Sequence, residues 1–187
     1  MANVSSNTSA AKPNAAGAIF KAPKGTAIPT DTSTELTGFV CLGYISEDGI
    51  TNSNTRTSNE FKAWGGDTVL TEQTEYKDTF KFKLIEVLNA DVLKTVYGSD
   101  NVTGTDITSG LTIKANSKEL DESSWVIDMI MRDNTLNRIV IPAAKISEVG
   151  DVTYSSSDLV AYDVTITAFP DASGNTHYEY KKKAANE

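Results

Sequence analysis

Alternation of apolar and polar positions, and not a helical period, dominates this chain. The cleanest stretch is 158–169, where Val160, Tyr162, Val164, Ile166 and Ala168 face one way and Ala161, Asp163, Thr165 and Thr167 the other. Residues 77–86 repeat it, with Phe80, Phe82 and Leu84 opposite Lys81 and Lys83. In 125–132, Trp125, Ile127, Met129 and Met131 oppose Val126, Asp128, Ile130 and Arg132. A period of two sends successive side chains to opposite faces of a strand, so each stretch predicts a half-buried strand. Asp133-Asn134-Thr135 is turn chemistry and predicts a hairpin between 125–132 and 136–141. Pro142 is expected to end the second strand, leaving 144–149 as a separate short one before Gly150-Asp151.

The remaining segments are read the same way. Phe39, Val40, Leu42, Tyr44 and Ile45 predict a first strand over 38–45, buried on both sides. Residues 46–57 are Asp, Gly, Asn, Ser and Thr, which is loop chemistry. Residues 60–64 resume an extended hairpin arm, with Gly65-Gly66-Asp67 as its turn or bulge. Residues 100–110 read as loop, Leu111, Ile113 and Ala115 alternate with polar neighbours, and 176–180 read as a last short strand after a turn at 170–175. One helix is predicted over 90–97. Asn89 is a good N-cap, Asp91 suits the positive helix end, Gly98 supplies the stop, and Val92, Leu93 and Val96 form one apolar stripe. About eight strands and one flanking helix imply a mainly β fold, a β-sandwich or small barrel. Residues 1–18 lack bulky apolar side chains and predict a flexible N-terminal arm. Residues 19–37, with Pro23, Gly25 and Pro29, read as an extended lead-in. The expected organisation is therefore an arm at 1–18, a single β domain at 19–181 with a long loop or hairpin arm at about 46–76, and a flexible tail at 182–187.

Composition narrows the function. At 187 residues the chain is long enough for one domain with a real core. Its 17 Lys+Arg against 25 Asp+Glu give a formal net charge of −8, which argues against a phosphate-gripping surface. It leaves room for DNA that slides past without sticking. A single cysteine, Cys41, precludes an intramolecular disulfide. The opening residues show no secretory signal pattern, and no apolar run approaches the ~18 residues that span a bilayer. The one histidine, His177, has no histidine or cysteine neighbour in sequence to build a metal site with, no Gly-x-Ser-x-Gly elbow is present, and His177 reads as a surface strand residue. Glu47-Asp48 and Asp121-Glu122 read as solvated loop charges. No enzyme, metal or cofactor is expected. Phe61 and Trp64, beside the glycine turn, are either core caps or aromatic anchors for a neighbouring subunit.

Several blocks, in order along the chain, carry a resemblance. They are 22–31 (Ala22-Pro23-Lys24-Gly25 to Thr30-Asp31), 38–49, Phe61-Lys62-Ala63-Trp64-Gly65-Gly66-Asp67, 84–89, 115–120 with Trp125, Arg138-Ile139-Val140-Ile141-Pro142, and 174–180. From about residue 17 to about 181, the chain resembles the major tail protein, or tail tube protein, of long non-contractile-tailed bacteriophages. The resemblance implies a β-sandwich or barrel with a flanking helix. It also implies homo-hexameric rings stacked into a hollow tube, through which the genome passes into the host. Such tubes are similar to those of contractile injection machines. It further implies a location in the virion tail after synthesis in the host cytoplasm, with tail terminator, tape measure and baseplate or tip proteins as partners, passing DNA as a transient contact, and no membrane insertion. Phe61 and Trp64 then become candidate inter-subunit contacts. An acidic lumen would keep phosphates from sticking, which makes Asp128, Glu148 and Asp163 candidate lumen residues. An Ig-like capsid or tail decoration module is the alternative. A small β-fold enzyme is a further one, and it lacks a catalytic cluster.

Overall fold

A computed structural model of the chain describes residues 3–14 and 17–184. In chain order its elements are β1 (Ala11–Pro13), β2 (Ile19–Pro23), β3 (Val40–Cys41), β4 (Ile45–Lys62), β5 (Thr68–Leu84), α1 (Ala90–Tyr97), β6 (Val102–Thr103), β7 (Thr112–Ile113), β8 (Ser123–Met131), β9 (Thr135–Val149), β10 (Tyr162–Ala168) and β11 (Tyr178–Lys183). The fold is mainly β with one flanking α-helix, the class that the alternation predicts. Nine strands share one antiparallel sheet in the order β3-β2-β8-β9-β10-β5-β4, with β1 added beside β8 and β11 beside β9. β6 and β7 make a separate two-stranded ribbon.

The main core lies on one face of this sheet. Ile19 of β2, Phe80, Phe82 and Leu84 of β5, Trp125 and Ile127 of β8, Ile139 and Ile141 of β9, and Val164 and Ile166 of β10 pack there with Val92, Leu93 and Val96 of α1. The helix matches its predicted bounds. The Asn89 side chain accepts from the Asp91 amide, and Gly98 ends the helix at φ 93°. On the opposite face, Phe20, Val126 and Val140 form a second cluster under Ile28 and Leu36 of the lead-in and Phe39 just after it.

Several expectations change in detail. Residues 38–45 are not one doubly buried strand, because Val40–Cys41 pair with β2 while Ile45 already belongs to β4, and both Val40 and Tyr44 are exposed. Gly38 and Gly43 take positive φ and break the extended run. At Gly43, a Cβ would lie 2.0 Å from the Glu86 carboxylate, which occupies that space to accept the Tyr44 amide at 2.8 Å. Pro142 does not end its strand. β9 runs through it to Val149, and the register slips by a bulge between Ser123 and Trp125, where Ser124 Oγ donates to the Pro142 carbonyl at 2.8 Å. The segment read as loop at 46–57 is strand, part of the 18-residue β4. Lys182 and Lys183 extend β11, and Ala185, Asn186 and Glu187 of the expected tail lie outside the described residues. Within the expected N-terminal arm, β1 pairs through Ala11, Lys12 and Pro13 with Met131, Ile130 and Met129. All three arm residues are exposed, so main-chain pairing alone anchors them. Met1, Ala2, Ala15 and Ala16 of that arm lie outside the described residues.

Candidate assembly surface

β4 and β5 form a hairpin far longer than the body needs. Their register runs from Ile50 opposite Phe82 to Lys62 opposite Thr68. β10 covers the flank of β5 only from Asp78 to Leu84, so beyond Asp78 the hairpin has no further strand partner among the described residues. Every residue from 51 to 77 is exposed. β-branched Thr51, Thr55, Thr57, Thr71 and Thr74 keep the two strands extended. A bulge at Thr57 and Ser58 re-aims the outer half, with Thr74 Oγ1 donating to the Thr57 carbonyl at 3.2 Å. The tip closes where the Ala63 amide donates to the Asp67 carbonyl at 2.8 Å and the Gly66 amide to the Ala63 carbonyl at 2.9 Å.

The shaft is polar and the tip is not. Phe61 stands directly across from Leu70, and both are about half exposed, at 47% and 54%. Val69 and Trp64 are exposed beside them, Trp64 completely. From sequence, Phe61 and Trp64 are either core caps or subunit anchors. Neither caps the core. Val69 and Leu70 were missed, although the run Thr68-Val69-Leu70-Thr71 next to a glycine turn carries their signal.

The arm is clasped at its base. The Asp78 carboxylate is buried, yet it accepts from Asn52 Nδ2 at 2.8 Å and Thr176 Oγ1 at 2.6 Å and lies 2.6 Å from His177 Nδ1. Burial pushes its pKa up, but the bonds from His177, Thr176 and Asn52 outweigh burial and hold it below the ordinary value. In turn, the hydrogen bond to Asp78 raises the His177 pKa against its own partial burial, with the charges of Asp78 and Glu179 adding to the rise. Phe80 packs edge-on to the His177 ring, with centroids 5.2 Å apart. Two residues outward along β5, Tyr76 accepts from Asn54 Nδ2 at 2.6 Å and carries the Arg56 guanidinium over its ring at 4.7 Å. His177 is therefore a half-buried clasp residue, not a surface strand residue. The link between positions 78 and 177 has no local sequence signal.

The three candidate lumen acids fare differently. Asp128 is buried and forked by Arg138, whose Nε and Nη2 donate to its two oxygens at 2.7 and 2.8 Å. Arg138 Nη1 also donates to the carbonyls of Asp31 and Thr34 at 3.2 and 2.7 Å, pinning the lead-in over the second cluster. That turn is held by the Asp31 carboxylate, which the Ser33 and Thr34 amides pull down to about 2. Asp128 thus offers no free charge to a lumen; its place on the polar side of the alternation misled because Arg138 lies opposite it in register. Asp163 is half-buried, 3.2 Å from Lys81 on the neighbouring strand. Glu148 is exposed opposite Thr165. Among the described residues, no group of three or more His, Cys, Asp or Glu side chains is placed to hold a metal ion, and no helix is long and apolar enough to cross a membrane.

A family model described as phage tail tube protein matches residues 4–186. No curated protein matches the sequence. With nearly its whole length covered, the chain belongs to the phage tail tube protein family.

Proposed function

We propose that this phage tail tube protein polymerises as stacked hexameric rings that form the tail conduit for genome delivery, as in phages with long non-contractile tails. The observation that carries this reading is the arm. A two-stranded hairpin alone is marginally stable in water, yet residues 51–77 stand clear of the body, with two open edges and an apolar tip. Such an element suits a protein whose neighbour covers it. The tip residues Phe61 and Trp64, with Val69 and Leu70, are the inter-subunit contacts in this proposal; buried aromatic anchors of this kind dominate interface energetics. Before assembly the hairpin arm is free to move, and its ordering delays polymerisation until an initiating complex templates the first ring. Glu148, and Asp163 beside Lys81, lie on the sheet face away from α1 and serve as the acidic part of the lumen wall. Replacing them with Lys is expected to slow genome ejection. Tail terminator, tape measure and tip proteins are the partners at the tube's ends and interior.

The test is negative-stain electron microscopy of purified protein, with tail fragments from particles as seeds. Wild-type chain is expected to extend the seeds as hollow tubes of uniform width. A variant with 56–76 replaced by an Asn-Gly turn, closing the hairpin at the Thr55–Lys77 pair, keeps the Asp78 clasp. It is expected to fold and to leave the seeds unextended. Normal tubes from that variant would sink the role given to the arm. Particle tails without this chain would favour the decoration module.

A further inference from the structure

The two ends of β9 carry opposite charge. Where β9 finishes at Val149, beside the start of β10 and the end of β5, a groove of about 640 Å³ is lined by Glu47, Asp48, Asp151, Asp158 and Asp163, with Lys83 as its only cation among the described residues. Lys81, next to Asp163, offsets one more of these five carboxylates. Where β9 starts, Thr135 pairs with Met131 on one side and Lys183 on the other. There a second groove, of about 860 Å³, is lined by Lys12, Arg132 and Lys183, with Asp133 as its only acid among the described residues. Its walls are β1, the β8–β9 turn and the end of β11, so the lysine run that ends β11 adds further positive charge beside it.

β9 spans 15 residues, which at ~3.3 Å per residue lets the grooves lie up to roughly 45 Å apart. They are separate patches, and neither can pair with itself in a two-fold dimer. Complementary patches at opposite ends of one molecule make a heterologous contact that repeats along a line. Strand direction gives the same sense to the arm. β5 runs from the tip at Thr68 down to Leu84, which pairs with Tyr162 at the acidic groove, so the arm leaves the body toward the basic end.

We infer that the basic groove of Lys12, Arg132 and Lys183 docks on the acidic groove of a second copy, and that this contact stacks one ring on the next with fixed polarity. The inference rests on the tube reading above. Like-charged ends repel, so head-to-head stacking is disfavoured as head-to-tail stacking is favoured. The contact is polar and rim-like, and salt weakens it as the screening length falls from about 10 Å at 0.1 M to about 3 Å at 1 M.

A charge swap tests this. Arg132→Glu with Lys183→Glu makes both ends acidic; Asp48→Lys, Asp151→Lys and Asp158→Lys together make both ends basic. Each protein is first checked for an unchanged thermal midpoint and then added to seeds beside wild type. Each variant alone is expected to need at least about tenfold more protein to elongate than wild type, equivalent to 1.4 kcal/mol. A 1:1 mixture is expected to recover elongation to within about threefold of wild type, because each variant supplies the complement of the other. Folded variants that elongate singly like wild type would overturn the proposal and leave the tube reading intact. Folded variants that fail both singly and mixed would also overturn it, since lost charge pairing would then not be the cause. Wild type unable to extend seeds that contain this chain would remove the tube reading itself.

Discussion

Truncating Asp78 to alanine probes how firmly the arm is tied to the body. The mutation removes a buried carboxylate and strands three donors, on Asn52, Thr176 and His177. Bonds to a charged acceptor contribute about 1.5–3 kcal/mol each in favourable cases. Burying the carboxylate costs part of that gain, so about 1 kcal/mol per bond is the safer figure, or about 3 in all. Breaking a buried pair from one side costs about 3–5 kcal/mol, which agrees. With a slope of about 2 kcal/mol/M, the urea midpoint should fall by roughly 1.5 M. Amide exchange should quicken first at Asn52 to Asn54 and at Tyr76 to Thr79, at the clasp, and only then in the core. A loss below about 1 kcal/mol would refute the reasoning, because the carboxylate would then be solvated and not clasped. The pH dependence gives a second check. His177 has a raised pKa in the fold, so its stabilisation is complete below the unfolded value of 6.5 and is lost as pH rises through the folded one. Asp78 has a lowered pKa, so its share is complete above 3.8 and is lost as pH falls through the folded value. The stability difference between wild type and His177→Gln should therefore be largest between about pH 4 and 6.5 and shrink on the alkaline side. A difference that did not shrink as pH rises above 6.5 would show that the ion pair contributes nothing.

Other changes report on other parts of the molecule. Arg138→Lys replaces a fork by a point charge that cannot serve Asp128 and the lead-in carbonyls together, and should cost about 2–3 kcal/mol in a denaturant melt; full stability would mean that the fork is dispensable. Gly43→Ala puts a side chain at φ 72° against the Glu86 carboxylate and should cost about 1–3 kcal/mol by thermal melting, part of it recovered in a Glu86→Ala background. Phe61→Ala with Leu70→Ala should shift monomer stability by no more than about 0.5 kcal/mol per site. The same pair should raise the protein concentration needed for seeded elongation at least about tenfold; unchanged elongation would remove the tip from the interface.

The parts of the fold that were legible in the sequence are those where local chemistry and burial agree. α1 reads out in full because its cap, its stop and its stripe all lie within ten residues, from Asn89 to Gly98. Phe80, Phe82 and Leu84, and Tyr162 to Ala168, read out because one face is core and the other is not. The arm defeated this logic along most of its length. Thr51 to Glu60 alternate nothing, because neither face of the hairpin is buried in the single chain, and loop chemistry and solvated strand then look alike. Pro142 misled for a different reason: it sits in a bulge, where Pro142 and Ala143 together face Ser124, and a bulge is a property of the pairing, invisible in one strand. The charges misled through distance. Asp128 looks solvated until Arg138 is placed across from it, and the acidic and basic grooves each draw on segments far apart in the chain.

β9 has one more consequence, a mechanical one. It runs unbroken from one charged end of the body to the other, with β8 along one side and β11, then β10, along the other. Antiparallel hydrogen bonds lie perpendicular to their strands. Tension between the two ends therefore loads all of those bonds in shear at once and does not peel them open one at a time. A filament of such subunits, bent or tugged as it swings from a capsid, would yield at the contacts between copies before any subunit came apart.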